Sequence, residues 1–341
     1  MKIFRSLDQV ERPSRPTAVT IGAYDGVHLG HIHVLALLRR LAEERSLQTV
    51  VVTFDRHPAS IVRPQSAPKL LCDLDQRLEL IAQNGIGAAL VLTFDEDLAA
   101  ETAEDFVKKV LVGGLGTRVV VVGRDFHFGR DRGGNVELLS KLGDEYGFEV
   151  VGADLVDEAG RGSESSDRVS STRIRALLTR GAVREAAALL GRPHEIRGIV
   201  VGGDRRGREL GFPTANIEVP REILVPADGV YACWYRRPDG TRHAAATSIG
   251  VRPTFSDSAG RRTVEAYLID FSGDLYGETA ALQFVERIRD EIRFDDVNSL
   301  VQQMRRDVER CRVLLAAAPE ESSVEEVQRD VQLAPSSSDD H

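Results

Sequence analysis

Lysine is scarce in this chain of 341 residues: Lys2, Lys69, Lys108, Lys109 and Lys141 are all there are. None precedes Ser or Thr, so no GxxxxGK[ST] phosphate loop can be written, and nucleotide phosphates must be held by other means. Cysteine is nearly missing too. Cys72, Cys233 and Cys311 are odd in number, far apart and without metal-ligand spacing, which excludes a disulfide framework or a zinc site and fits a reducing compartment. No run approaches the roughly 18 apolar residues of a spanning helix, and the opening MKIFRSLDQVERPSR has no apolar core. The expectation is a cytoplasmic protein without a membrane partner. A basic surface is also lacking. The formal net charge is −9, of which the stretch from Pro319 onward, with seven acids and one base, contributes −6, leaving −3 on the body. A body so close to neutral does not gather polyanions, so nucleic acid is excluded as a partner.

What is present is the balance of a soluble globular protein, with 42% hydrophobic and 28% charged residues. The length suits two domains that each bury a core. From Thr17 to about Val151, Val- and Ile-rich runs end at Gly22, Phe54, Phe94, Gly123 and Gly152, alternating with segments of helical period such as HIHVLALLRRLAEER, LDQRLELIAQ, ETAEDFVKKVL and GNVELLSKLGDEYG. That rhythm predicts an α/β domain with a parallel sheet covered on both faces, whose ligands sit beyond the carboxyl ends of the strands. Two short helices follow, STRIRALLTRG and AVREAAALLGR. After Pro193 the runs EIRGIVVGG, GVYACWYR, HAAATSIG, TVEAYLIDF and TAALQFVERIR, separated by turns such as PDG at Pro238 and SGD at Ser272, predict a small antiparallel β-barrel. A closing helix, VNSLVQQMRRDVERCRVLL, ends the folded part. The acidic, Ser-rich remainder is expected to be disordered. There is no internal repeat.

The first candidate site is TIGAYDGVHLGHIHVL, where His28 and His31 stand three apart at a helix entry. Such a pair shares one face beside a helix terminus that attracts anions, and it can stabilise charge growing on a pentavalent phosphorus, with Gly30 allowing close approach. An isolated HxGH is more often a cap and a packed histidine. Here, however, TFDRHP with His57, GRDFHFGRDRGGN with Asp125, Phe126 and Phe128, and VSSTRIR with Ser171, Thr172, Arg173 and Arg175 follow at later strand and helix ends. Their hydroxyls, amides and guanidiniums suit phosphate. An aminoacyl-tRNA synthetase also shows HxGH after a first strand, but it needs a lysine-rich loop and a basic surface, and this chain has neither.

The second candidate is GGDRRGRELGFPTANI. It is too glycine-rich for a sheet interior; Gly207 and Gly211 permit a wrap around phosphates, Pro213 fixes the turn, and Thr214 and Asn216 offer oxygens to Mg²⁺. A long barrel hairpin is the plainer alternative. In VEAYLIDF, strand alternation puts Glu265 and Tyr267 on the face opposite Val264, Ala266 and Leu268, and Glu265 is a candidate general base for a hydroxyl.

Taken in order, TIGAYDGVHLGH, TFDRHP, VVGRDFHFG, VSSTRIR, GRELGFPTANI, DGVYA, SIGVRPTF, VEAYLIDFSGDLYG and IRDEIRF resemble the bifunctional prokaryotic riboflavin kinase/FAD synthetases, over roughly Met1 to Leu315. The resemblance implies a Rossmann-like FMN adenylyltransferase domain at residues 1–186, a riboflavin kinase barrel at 187–318, and a tail at 319–341. It implies ATP as co-substrate, Mg²⁺, and riboflavin, FMN and FAD as substrates and products, and it leaves room for a weak homo-oligomer. His28 and His31 would act in adenylyl transfer. Gly22, Asp25, Gly30, His57, Asp125 and the segment Ser171–Arg175 would position ATP and FMN phosphates, and Phe54, Phe126, Phe128 and Arg289 are flavin candidates. In the barrel, Gly207, Gly211, Thr214 and Asn216 would hold ATP and Mg²⁺, Glu265 would be the base for the ribityl 5'-hydroxyl, and Arg252 is a weaker phosphate candidate. The chain departs from the pattern at Ala23, Tyr24, Ser248 and His194, where Asn, Phe, Asn and Tyr are usual. A flavin-binding regulatory protein with dead sites is the alternative of another class, and the intact His28, His31, Asn216 and Glu265 speak against it.

Overall fold

The computed structural model describes residues 1–10, 15–154, 168–203, 207, 210–251 and 262–318. Arg252 and the acidic tail from Pro319 lie outside the described residues. Two compact units are present, one formed by Met1–Ser171 and the other beginning at Thr172.

The first unit is a six-stranded parallel sheet. Its strands are β1 (Lys2–Phe4), β2 (Thr17–Ile21), β3 (Gln48–Phe54), β4 (Ala88–Leu92), β5 (Thr117–Gly123) and β8 (Glu149–Ala153), in the order β1-β4-β3-β2-β5-β8. A small hairpin of β6 (His127–Phe128) and β7 (Gly134–Asn135) follows β5. All five residues of β2 are buried, as expected of a central strand covered on both sides. Val19, Ile21, Val50, Val52, Leu90 and Val120 face a core shared with Val107, Leu111 and Leu139. On the opposite face Ala89 and Val91 meet Leu78 of the helix Leu74–Gln83. The chain turns back from β2 in both directions, toward β3 and toward β5, so the carboxyl end of β2 is the switch point where such sheets bind ligands.

Two features were not anticipated. The edge strand β1 pairs with β4 through only three residues, and KIF is too short to carry a periodicity. The segment predicted as one helix, ETAEDFVKKVL, widens from Val107 to Gly114 into a π-helix.

The second unit opens with the helices Ser171–Thr179 and Val183–Leu190. It continues as a closed antiparallel barrel of β9 (His194–Val201), β10 (Ala215–Glu218), β11 (Gly229–Arg236), β12 (Arg242–Val251), β13 (Arg262–Leu268) and β14 (Thr279–Arg289). The loop reading of GGDRRGRELGFPTANI needs correction at its end. ANIE is β10, the strand that closes the barrel between β9 and β13, and its four residues were masked by the glycines before them. The helix Val297–Ala317 packs Cys311 and Leu315 against Ala232 and Ile269.

His194 replaces the expected Tyr and is buried at 2% exposure. Its Nε2 lies 3.2 Å from the Leu224 carbonyl, and its ring stacks on Phe284. Burial lowers its pKa from 6.5 to about 4. The folded barrel therefore holds a neutral ring. Its contribution is complete above pH 6.5 and is lost as pH falls toward 4, because the unfolded chain takes up a proton that the folded one refuses. The loss approaches roughly 3 kcal/mol. The chain's single tryptophan is Trp234 in β11, so denaturant unfolding followed by its fluorescence reports the barrel. His194→Tyr is expected to remove this part of the decline between pH 7 and pH 4.5; an identical decline in the variant would contradict the assignment.

Candidate functional site

In the first unit the ladder between β2 and β3 ends with the Gly22 N–H donating to the Val52 carbonyl at 3.0 Å. The backbone then enters the left-handed region at Tyr24 (φ 51°), Gly26 (φ 81°) and Val27 (φ 38°). Two non-glycine residues there, one of them β-branched, store of order 1–3 kcal/mol each, so the surroundings must impose the path. Several ties do so. The Tyr24 and Thr20 hydroxyls are 2.7 Å apart, and Gly26 N–H donates to Cys72 Sγ at 3.2 Å. Asp25 Oδ1 accepts from the backbone N–H groups of Leu71 (2.8 Å) and Cys72 (3.3 Å). Ser171 Oγ donates to the Asp25 carbonyl at 3.0 Å. Arg77, 5% exposed, donates Nη1 to the Ala23 carbonyl and Nη2 to the Phe54 carbonyl, each at 2.6 Å.

The product of this path is a paired imidazole. His28 is the N-cap of the helix Leu29–Glu44, its Nδ1 accepting from the His31 N–H at 3.3 Å. With Nδ1 an acceptor, the proton of the neutral ring sits on Nε2. The two rings stack at 3.7 Å with 14° between their planes, and Tyr24 lies 4.8 Å from His31. A Cβ on Gly30 would stand 3.2 Å from the His28 ring, so glycine is what lets the imidazole lie over the first turn. Capping and site membership are therefore compatible.

The other predicted residues sort by burial. Asp25 is 3% exposed, and its Oδ1 is turned onto backbone N–H groups that shape the loop. Phe54 packs edge-on to Phe94, and Phe128 packs edge-on to Phe106, both in the core. Phe126, half-buried, stacks on Phe128 at 5.3 Å. Asp125 is exposed and paired with Arg168 at 3.5 Å. His57 accepts the Ala59 N–H at 3.1 Å, capping a short turn after β3.

In the second unit, Thr172, Arg173 and Arg175 occupy the start of the helix Ser171–Thr179. A cavity of about 320 Å³ lies between the outward-facing residues of the barrel and the closing helix. Its apolar wall includes Leu210, Phe212, Tyr267, Phe294, Met304 and Val308; its polar residues are Thr214, Ser248, Glu265, Arg289, Glu291 and Asp307. Register places Asn216, Glu265 and Ser248 side by side on β10, β13 and β12, and directly opposed residues share a face. Thr214 Oγ1 donates to Glu265 at 3.4 Å, and Ser248 Oγ donates to Glu291 at 3.4 Å. Gly207 accepts the Phe212 N–H at 2.7 Å, and Gly211 is left-handed at φ 82°, which turns the chain into PTAN. A side chain at Gly203 would collide with the Asn216 amide. Arg289 grips the buried Asp307 through Nε (3.0 Å) and Nη2 (2.7 Å), joining β14 to the closing helix. Partial desolvation, then Asp228, raises the Glu291 pKa. Glu291, Asp307 and Arg77 were not anticipated, because a lone charge in a helix or after a strand reads as solvated surface.

A Rossmann-like unit with paired histidines at its switch point, and a barrel with a carboxylate and a threonine at one cavity and an asparagine in register with that carboxylate, define a two-domain phosphoryl- and nucleotidyl-transferring class. Comparison with known proteins agrees. Residues 10–173 match the FAD synthetase family and residues 190–315 the riboflavin kinase family. A bifunctional riboflavin kinase/FMN adenylyltransferase from Pseudomonas fluorescens is 37% identical over 93% of this chain and 98% of its own length. One from Listeria monocytogenes is 36% identical over 87% and 92%. A solved structure described as a macrolide-efflux protein from Streptococcus pneumoniae superposes with a TM-score of 0.80 at 31% identity, covering 91% of this chain and 98% of that one. The chain belongs to the bifunctional riboflavin kinase/FMN adenylyltransferase family.

Tyr24 stands where Phe is usual, and its hydroxyl is matched by the fully buried Thr20. Tyr24→Phe strands that partner and is expected to cost about 1–3 kcal/mol. Adding Thr20→Val should recover most of it. Denaturant unfolding of the two single variants and the double variant checks this; simple additivity would refute the pairing.

Proposed function

We infer that the two reactions of the family are divided between two domains: residues 187–318 phosphorylate riboflavin to FMN, and residues 1–186 adenylylate FMN to FAD with release of pyrophosphate. The single observation that carries this is the presence, in one chain, of a stacked imidazole pair at a sheet switch point and a Glu265-centred polar rung in a barrel cavity.

In the kinase half the apolar wall suits the isoalloxazine ring and the polar side suits the ribityl chain. Glu265 takes the proton of the 5'-hydroxyl as its oxygen attacks the γ-phosphorus of ATP and ADP leaves. Gly207 and Gly211 shape the phosphate loop. The oxygens of Thr214 and Asn216 fit Mg²⁺, which prefers oxygen ligands and keeps several waters and phosphate oxygens. When bound, the ion neutralises charge on the phosphates. Arg289 holds the closing helix against the cavity, so its contribution to flavin binding runs through that wall.

In the other half an FMN phosphate oxygen attacks the α-phosphorus of ATP in line. His28 and His31 face the charge that develops there, with Nε2–H of His28 a donor. Gly22 and Gly30 keep the path open, His57, Asp125, Ser171, Thr172, Arg173 and Arg175 contribute to binding the phosphates, and Phe126 is the aromatic candidate for the flavin. Catalysis in both halves is positioning and charge neutralisation, without a covalent intermediate. The three buried free thiols suit work in the cytoplasm.

The test is a separation of products. With riboflavin, ATP and Mg²⁺, His28→Ala is expected to accumulate FMN with FAD formation down by roughly 100-fold or more, in the range of removing a transition-state donor. Glu265→Gln should stop FMN formation yet convert supplied FMN to FAD. Chromatographic identification of the flavins decides; undiminished FAD from His28→Ala, or undiminished FMN from Glu265→Gln, would remove the corresponding role.

A further inference from the structure

We infer that Arg77 is a positioning residue for adenylyl transfer, setting the spacing between the histidine loop after β2 and the loop after β3; this rests on the proposed role of His28 and His31. The parallel pairing of β2 with β3 ends at Ile21 and Val52, with the Gly22 N–H as the last bond. Beyond it the two strands part, and the Ala23 and Phe54 carbonyls point where no neighbouring strand supplies an N–H. A buried acceptor without a partner is destabilising. Arg77 spans the gap, giving one end of its guanidinium fork to each carbonyl at 2.6 Å. Thr53 Oγ1 adds a weaker contact to Ala23, at 3.4 Å.

The residue has no other visible duty. Its Nε is buried without a hydrogen-bond partner, so the fork is committed to those two carbonyls even at the expense of a stranded donor. Burial pushes its pKa down, while Cys72, Asp25, Asp55 and Asp73 support the charged form. Two planar N–H groups at a fixed angle do what an ammonium cannot, since lysine offers a point charge rather than a fork. Ala23 lies five residues before His28 and Phe54 three before His57, so a shift at the clamp moves both groups relative to each other. A misplacement of about 1 Å at reacting groups costs on the order of 100-fold in rate.

The experiment uses the full chain, whose riboflavin kinase activity serves as an internal control. Arg77→Met is expected to lower kcat for FMN adenylylation on the order of 100-fold and Arg77→Lys roughly tenfold, with KM for FMN and ATP changed by less than about threefold. Riboflavin phosphorylation should stay within about twofold, and the amino-terminal unit should keep its unfolding transition. Unchanged kcat in Arg77→Met overturns the inference. So does a fall in kcat that comes only with loss of that transition in both variants, since Arg77 would then hold the fold and not the geometry. His28→Ala run alongside separates the failures: full FAD output there sinks the reading of the loop and the inference with it, whereas insensitivity confined to the Arg77 variants sinks the inference alone.

Discussion

The constraint on which the first unit depends is the end of a hydrogen-bond ladder. A parallel sheet satisfies its backbone only while its strands run together, and at a switch point they separate, leaving polar groups that must be buried and met by something else. Here the replacements come from distant sequence: a guanidinium from the helix Leu74–Gln83 meets the Ala23 and Phe54 carbonyls and the hydroxyl of Ser171 the Asp25 carbonyl, while backbone N–H groups of Leu71 and Cys72 hold the Asp25 carboxylate. Those same replacements hold Tyr24 and Val27 at positive φ. The strained path is what brings His28 to the helix start with its ring over Gly30 and against His31. Binding geometry and backbone satisfaction are one arrangement.

The barrel solves a similar problem by closure. With β10 in place every strand has two neighbours, and no open edge remains in the sheet. The closing strand is also the one that carries Asn216 into register with Glu265. A one-residue slip of β10 would turn Asn216 and Thr214 to the other face, because side chains alternate with period two. The Arg289 to Asp307 pair then fixes the helix that walls the cavity, and the near-complete burial of Asp307 means that removing Arg289 would leave its charge uncompensated.

Much of this was legible from the sequence because periodicity and turn chemistry are local. GVYACWYR and TAALQFVERIR are strands over the residues their alternation marks, and LDQRLELIAQ is a helix with Asp73 as its cap. The alternation that set Glu265 and Tyr267 against Val264, Ala266 and Leu268 appears unchanged in the burial of β13. What was not legible is what depends on distant partners. Asp25 Oδ1 accepts from the backbone of Leu71 and Cys72, and nothing near it in sequence says that they will come to it. Phe54 closes a strand that points at the site, but its side chain falls on the core face. β10 was hidden because glycine content describes the turn before it, whereas strand formation follows from the vacancy between β9 and β13.

The two sites therefore respond to substitution in different ways. The imidazole pair rests on ties from four separate segments, each contributing one or two bonds to a loop of positive-φ residues, so its geometry is exposed to changes far along the chain that touch no substrate. The barrel site rests on strand register, which many backbone bonds share and which no single side chain controls. On the proposed role of the histidines, loss of a tie in the first unit that leaves the fold intact is felt in rate through the position of the loop. Loss of one hydrogen bond in the barrel leaves Asn216, Glu265 and Ser248 on their rung, so on the proposed assignment the chemistry there is less exposed to distant changes.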